Sequence, residues 1–151
     1  MTDSFLLFCV DERRYALDVA AVERIVRAVE VTPVPDAPGY VRGLINVAGE
    51  IVPVIDIRQR LGLPIREVEL SDRFILTNED SRLRALLVDR VEGVVELPIS
   101  SAARVRTPIL DTTTTAINIE GNIVLIQTKE SLLSEATPLR VGNIRGENII
   151  D

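Results

Sequence analysis

The stretch GLINVAGEIVPVIDIRQRLGL, Gly43 to Leu63, holds two short apolar runs that meet at Gly49-Glu50. Tyr40 to Val47 and Glu50 to Ile57 read as the arms of a hairpin. Val and Ile dominate both arms, and Gly49 supplies a permissive backbone at the turn. Pro53 has no amide hydrogen to give a ladder, which places it at an edge or a bulge. Arg58 to Leu61 predicts one helical turn, capped by Asp56 and stopped by Gly62 and Pro64. The stretch contains neither histidine nor cysteine, so its chemistry is packing and turn formation.

Working outward, the same pattern recurs. Ser4 to Val10 is apolar, Asp-Glu-Arg-Arg turns, and Tyr15 to Asp18 returns as a second strand. Asp18 caps a short helix from Val19. Ile25 to Val31 reads as a strand, and Pro33, Pro35 and Pro38 make the next segment an extended edge or loop. Pro64 to Asp72 is a polar, acidic loop. Arg73 to Thr77 and Leu83 to Asp89 pair around Asn78-Glu79-Asp80-Ser81, and Val91 to Leu97 continues as a strand closed by Pro98. Ser100 to Thr114 reads as loop, including most of the run Thr112 to Thr115. Ala116 to Ile119 and Ile123 to Thr128 flank a third turn, Glu120-Gly121-Asn122, and Glu130 to Glu135 suits a short helix. About ten short strands separated by turn signals predict a mainly β small-barrel or sandwich protein. Residues 1–136 are expected to form a single domain, with 137–151 as a flexible tail.

The chain has 151 residues, 46% hydrophobic, enough for a substantial core. A net charge of −6 with 3% aromatic residues argues against nucleic acid and against anionic membrane surfaces. No apolar run reaches the length of a membrane span, and the opening MTDSFLLF carries an acid where an export signal needs basic residues. A cytoplasmic protein is expected. Histidine is absent, which removes Ser-His and Cys-His pairs, imidazole metal ligands and a phosphoacceptor histidine. Cys9, the single cysteine, sits in an apolar run and is read as an inert buried thiol. No glycine-rich phosphate loop is present. Asp11, Glu12, Asp18, Asp36, Asp56 and Asp89 are read as caps and turn residues. Arg13, Arg14, Arg58 and Arg60 are read as solvated charges or partner contacts. No catalytic residue, cofactor or metal is expected. A small-molecule-binding barrel and an enzyme using carboxylates alone are the competing readings.

Four segments in order resemble the CheW-like coupling proteins of bacterial chemotaxis: FLLFCVDERRYALDVAAVERIV, VPDAPGYVRGLINVAGEIVPVIDIRQRLGL, LLVDRVEGVVEL and INIEGNIVLIQTKESLL. The resemblance implies two SH3-like five-stranded β-barrels around a shared apolar seam, with short helices. It implies a non-catalytic adaptor that binds the regulatory domain of a CheA-type histidine kinase and the cytoplasmic tip of a chemoreceptor, with no nucleic acid and no direct membrane binding. The receptor groove it implies comprises Val22, Arg24, Ile25, Gly43, Ile45 and Ala48. Val22 and Ile25 fall at the i, i+3 spacing of one helix face. The family often reads Asn-Leu-Arg-Gly where this chain has Asn46-Val47-Ala48-Gly49, and Val-x-Glu-Ile where it has Val22-Glu23-Arg24-Ile25. The usual Arg and Glu are therefore Ala48 and Arg24. That double departure fits altered receptor preference, as in a coupler specialised for a pilus or gliding pathway.

Overall fold

A computed structural model describes residues 2–79, 81–98, 102–107, 112–128 and 132. The expected mainly β, two-lobed architecture is present. Among the described residues eleven strands lie in two sheets: β1 Thr2–Val10, β2 Arg13–Asp18, β3 Val22–Arg27, β4 Val41–Val47, β5 Glu50–Ile55, β6 Arg73–Glu79, β7 Arg82–Val88, β8 Arg90–Pro98, β9 Ala102–Thr107, β10 Thr112–Ile119 and β11 Asn122–Gln127. One sheet has the order β8-β1-β2-β11-β10-β9 and the other β3-β6-β7-β5-β4. The predicted helix at Val19 is a 3-10 turn, Val19–Ala21, in which the Asp18 carboxylate accepts from the Ala20 amide at 2.9 Å.

The buried apolar residues among those described fall into three core clusters. Leu6, Phe8 and Leu17 of the six-stranded sheet meet Ile55, Ile75 and Leu86 of the five-stranded sheet in a seam between the lobes. Val52, Val54, Phe74, Leu76 and Ala85 fill the interior of the second lobe, and Ala16, Ile117 and Val124 the interior of the first. Strands β1, β6 and β7 thus bury both faces, which is why they read as continuous apolar runs with no alternation. Leu132 packs into the seam, and its amide donates to the Thr128 carbonyl at 3.2 Å, a helical i to i−4 bond. The rest of the helix expected over 130–135, and the tail over 137–151, lie outside the described residues.

The opening hairpin forms as expected. Val47 pairs with Glu50, leaving Ala48 and Gly49 as a two-residue turn with φ of 50° and 91°. Positive φ at both positions is the geometry that matches the strand twist. Pro53 departs from expectation, because β5 is an interior strand. Its partner Leu44 exchanges both backbone bonds with Thr32, at 2.8 and 2.9 Å, so Leu44–Pro53 is not a hydrogen-bonded pair. The Pro53 nitrogen therefore faces β7, whose pairing with β5 begins only at Val54. The missing donor falls just before the ladder starts.

Two other expectations are corrected. Ser100 to Thr114 is not simply loop: Ala102–Thr107 and Thr112–Ile119 pair antiparallel, adding a sixth strand to that sheet. The β-branched threonines suit a strand, but without an apolar run only tertiary pairing reveals it. The strand read at Ile25 to Val31 is shifted to Val22–Arg27. Val29 to Val31 leave the sheet, and Thr32 then bridges to Leu44, closing the second barrel.

Candidate functional site

The six residues nominated from sequence occupy three environments. Gly43 is buried at φ 147°, beside a bulge that sets Val41 opposite Ile55 and Gly43 opposite Val54. A Cβ there would lie 2.3 Å from the Thr32 carbonyl oxygen, so the close approach that glycine permits is to this chain's own backbone. Ile45 is 3% exposed and packs inside the second barrel. Val22 is half-buried against the seam, whereas Ile25 is 38% exposed. Arg24 and Ala48 are exposed.

Val22 and Ile25 do share a face, but not by helical spacing. Both lie in β3, where i and i+3 would normally oppose one another. A register shift between Val22 and Arg24 sets Val22 opposite Thr77 and Ile25 opposite Ile75, which restores the common face. Arg24 lines a hollow of about 430 Å³ with Glu23, Glu50, Asn78, Ser81 and Leu83. The β4–β5 turn and the start of β3 thus meet at one end of the second barrel, where Ile51 is 66% exposed. Gly43 and Ile45 belong to the wall beneath that end, and their side positions are closed to a partner.

A second assembly was not legible as a site in the sequence. Arg58, read as a surface charge, has only 5% of its side chain exposed. Its Nη2 lies 2.8 Å from both carboxylate oxygens of Asp89, and its Nη1 donates to the Pro64 carbonyl at 3.0 Å. Arg66 grips Asp72 through both terminal nitrogens, at 3.0 and 2.7 Å, and reaches Asp89 at 2.7 Å. Asp56 caps the helix α1 Ile57–Leu61 as predicted, accepting from the Arg58 amide at 3.0 Å, and also receives Arg42 at 2.9 Å. Arg42 is the residue left over by the bulge beside Gly43, and it also donates to the Arg66 carbonyl.

The network holds the loop over 63–72 and joins the two lobes. Asp89 sits where the chain passes from β7 to β8, between the sheets. Its carboxylate accepts from the Asp11 amide at 2.7 Å in the β1–β2 turn. Burial raises the Asp89 pKa, but the Asp11 amide and the Arg58 and Arg66 guanidiniums outweigh burial and hold it below the usual carboxylate range. Arg66 is correspondingly pushed up, chiefly by its hydrogen bond to Asp72. Burial pushes the Cys9 thiol up, which keeps it protonated and unreactive. Among the described residues, no cluster of three or more Cys, Asp or Glu is arranged to hold a metal, and no helix is long and apolar enough to cross a membrane. The arrangement fastens; it offers no nucleophile with a base beside it.

A family model described as a CheW-like domain matches residues 4–137. The chain belongs to the CheW-like family. The scaffolding protein TtCheW from Thermoanaerobacter tengcongensis superimposes on this CheW-like chain with a TM-score of 0.72 at 27% identity, over 83% of this chain and 88% of that one. The chemotaxis protein CheW of Treponema pallidum is 36% identical over 93 residues, 58% of this chain and 54% of that protein. The CheW of Thermotoga maritima is 34% identical over 92 residues, 61% of this chain and 60% of that protein. The chain thus spans little more than half the length of the curated relatives it matches.

Family membership gives the Arg–Asp assembly a context. Asp89 lies in LLVDRVEGVVEL and Arg58 in IDIRQRLGL, two of the segments that carry the resemblance. What the sequence could not show is that these segments meet. The one available signal was an Arg and an Asp each following an apolar strand at a turn, and that pattern also describes ordinary caps.

Proposed function

We propose that this CheW-like chain is a non-catalytic chemotaxis adaptor of the cytoplasm. It joins the regulatory domain of a CheA-type histidine kinase to the cytoplasmic tip of a chemoreceptor. The working unit is residues 1–136, with 137–151 as an appendage. The observation that carries this reading is the likeness to a scaffolding protein over 83% of this chain. The exposed apolar residues Ile25, next to Arg24 in β3, and Ile51, next to Glu50 in β5, supply surface of the kind a partner can cover. The receptor groove is assigned to Val22, Arg24, Ile25, Gly43, Ile45 and Ala48, with Gly43 and Ile45 acting as buried support for the half-buried Val22 and the exposed Arg24, Ile25 and Ala48.

Titration calorimetry against the regulatory domain of the host's CheA-type kinase tests the reading. Binding in the micromolar range, about −8 kcal/mol, is expected. Silence against every such domain of the host would overturn it.

A further inference from the structure

A groove of about 540 Å³ lies on the second lobe, between the segment after β3 and the loop that the Arg66–Asp72 pair holds in place. Its apolar lining is Val29, Val31, Val68 and Leu70, with Leu70 92% exposed. Glu30, Glu67 and Glu69 give it an acidic rim. Glu69 lies 3.6 Å from Arg66, while the Glu30 and Glu67 carboxylates make no ion pair among the described residues. Arg42, the one cation lining the groove among the described residues, is already held by Asp56. Val29 to Val31 also form no backbone hydrogen bond among the described residues, although Ala28 and Thr32 on either side do. The groove therefore offers apolar contacts, unbalanced negative charge and a short unpaired run of main chain. Those features fit an extended, basic, apolar segment added alongside that run.

This chain contains such a segment. Thr137 to Arg145 reads TPLRVGNIR, with two arginines and no acid, in a chain of net charge −6. In extended form Leu139 and Val141 share one face and Arg140 takes the other. The length of chain beyond Leu132 is of the right order. Leu132 packs in the same core cluster as Leu63 and Val41. Arg42 follows Val41 directly, and Glu67 is four residues beyond Leu63, at most about 14 Å. The seven residues from Leu132 to Leu139 can span about 23 to 25 Å. We propose that the segment 139–145 of this chain docks in extended form along Val29 to Val31, with Leu139 and Val141 against Leu70 and Val68 and Arg140, on the other face, toward Glu30 and Glu67.

The test uses the full chain. A nitroxide is placed at Val141→Cys in a Cys9→Ala background, and backbone amide signals are followed by NMR. Loss of signal confined to residues 29–31 and 68–70 is expected, with recovery at high salt and in Glu30→Lys/Glu67→Lys. Broadening absent from that groove, or unchanged by the charge reversal, overturns the proposal. Mixing spin-labelled chain with isotope-labelled, unmodified chain should leave the amides sharp. Loss in the mixture would make a second copy the occupant and overturn docking within the chain. Should the Cys9→Ala background fail to fold, Arg140→Glu/Arg145→Glu in the otherwise unaltered chain serves instead. It is expected to shift the amides of Val29, Val31, Val68 and Leu70 but not those of the Ala48-Gly49 turn, and unmoved groove amides would refute the contact.

Discussion

Arg58 and Asp89 are thirty-one residues apart in sequence, yet Nη2 of Arg58 lies 2.8 Å from both oxygens of Asp89. The pair fastens the helix after β5 to the point where the chain crosses between sheets. Through the Asp11 amide it also fastens the β1–β2 turn. A buried guanidinium cannot shed its charge, so the carboxylate is what makes its position tolerable.

Replacing Asp89 with Asn keeps the shape and removes the charge. It should destabilise the fold at neutral pH by about 3 kcal/mol, because buried Arg58 loses its close partner and keeps only the more exposed Asp11 carboxylate, 3.6 Å from its Nη1. The sign of the pH effect comes from the depressed Asp89 pKa. The unfolded carboxyl titrates near 3.9, and the folded one lower. The folded state therefore gains stability above that range and loses it as pH falls through the folded value. Urea midpoints measured from pH 7 down to pH 2.5 should fall less steeply in Asp89→Asn than in the parent. Equal midpoints at neutral pH would show that the pair contributes nothing.

Gly43→Ala is expected to be the most damaging of the small substitutions in the opening hairpin. The added methyl would meet the Thr32 carbonyl oxygen at 2.3 Å and Val31 Cγ1 at 2.9 Å, at a φ that L residues rarely adopt. Backbone strain and overpacking together cost about 2 to 4 kcal/mol. Because Thr32 closes the barrel through Leu44, amide exchange at Thr32 and Leu44 should accelerate more than at β6 or β7. Uniform acceleration would show that the close approach is not the weak point.

Thr77 is fully buried, and its hydroxyl has no hydrogen-bond partner among the described residues. Valine has nearly the same shape without the stranded polar atom. Thr77→Val should raise stability by about 1 kcal/mol, read as a higher denaturant midpoint with an unchanged slope. A loss of stability would reveal a partner for the hydroxyl in solution.

The hairpin at Ala48-Gly49 and the cap at Asp56 were legible because their causes are local: a permissive glycine, and a carboxylate two residues before a free amide. Strands β1, β6 and β7 were legible as apolar runs, since a strand buried on both faces needs no alternation. β9 was not, because its existence depends on β10 lying beside it. Pro53 was misplaced for the same reason: the direction of its nitrogen is set by the pairing of Leu44 with Thr32, a contact between two other segments of the chain. Arg58 illustrates the limit most plainly. Nothing within its own neighbourhood distinguishes a solvated arginine from one that a distant aspartate lets the core accept.

At the exposed end of the second barrel, Arg24 lines a hollow with Glu23 and Glu50, and Ala48 stands at the turn beside Glu50 with a φ of 50°. Arg24→Glu alone would place a third carboxylate among these acids, and like charges at close range repel. Ala48→Arg alone would add a second cation at the end of the barrel that Arg24 occupies. Introduced together, the two changes alter the local charge by one unit, against two for Arg24→Glu alone, so thermal stability should stay close to that of the parent. The double variant should bind a generic chemoreceptor tip more tightly than the parent, and each single variant should bind less well than the pair, which is the mark of coupled positions. Titration of all four proteins against one receptor tip decides the matter. Identical affinities across the set would separate the two positions from each other and remove this end of the barrel from the receptor groove.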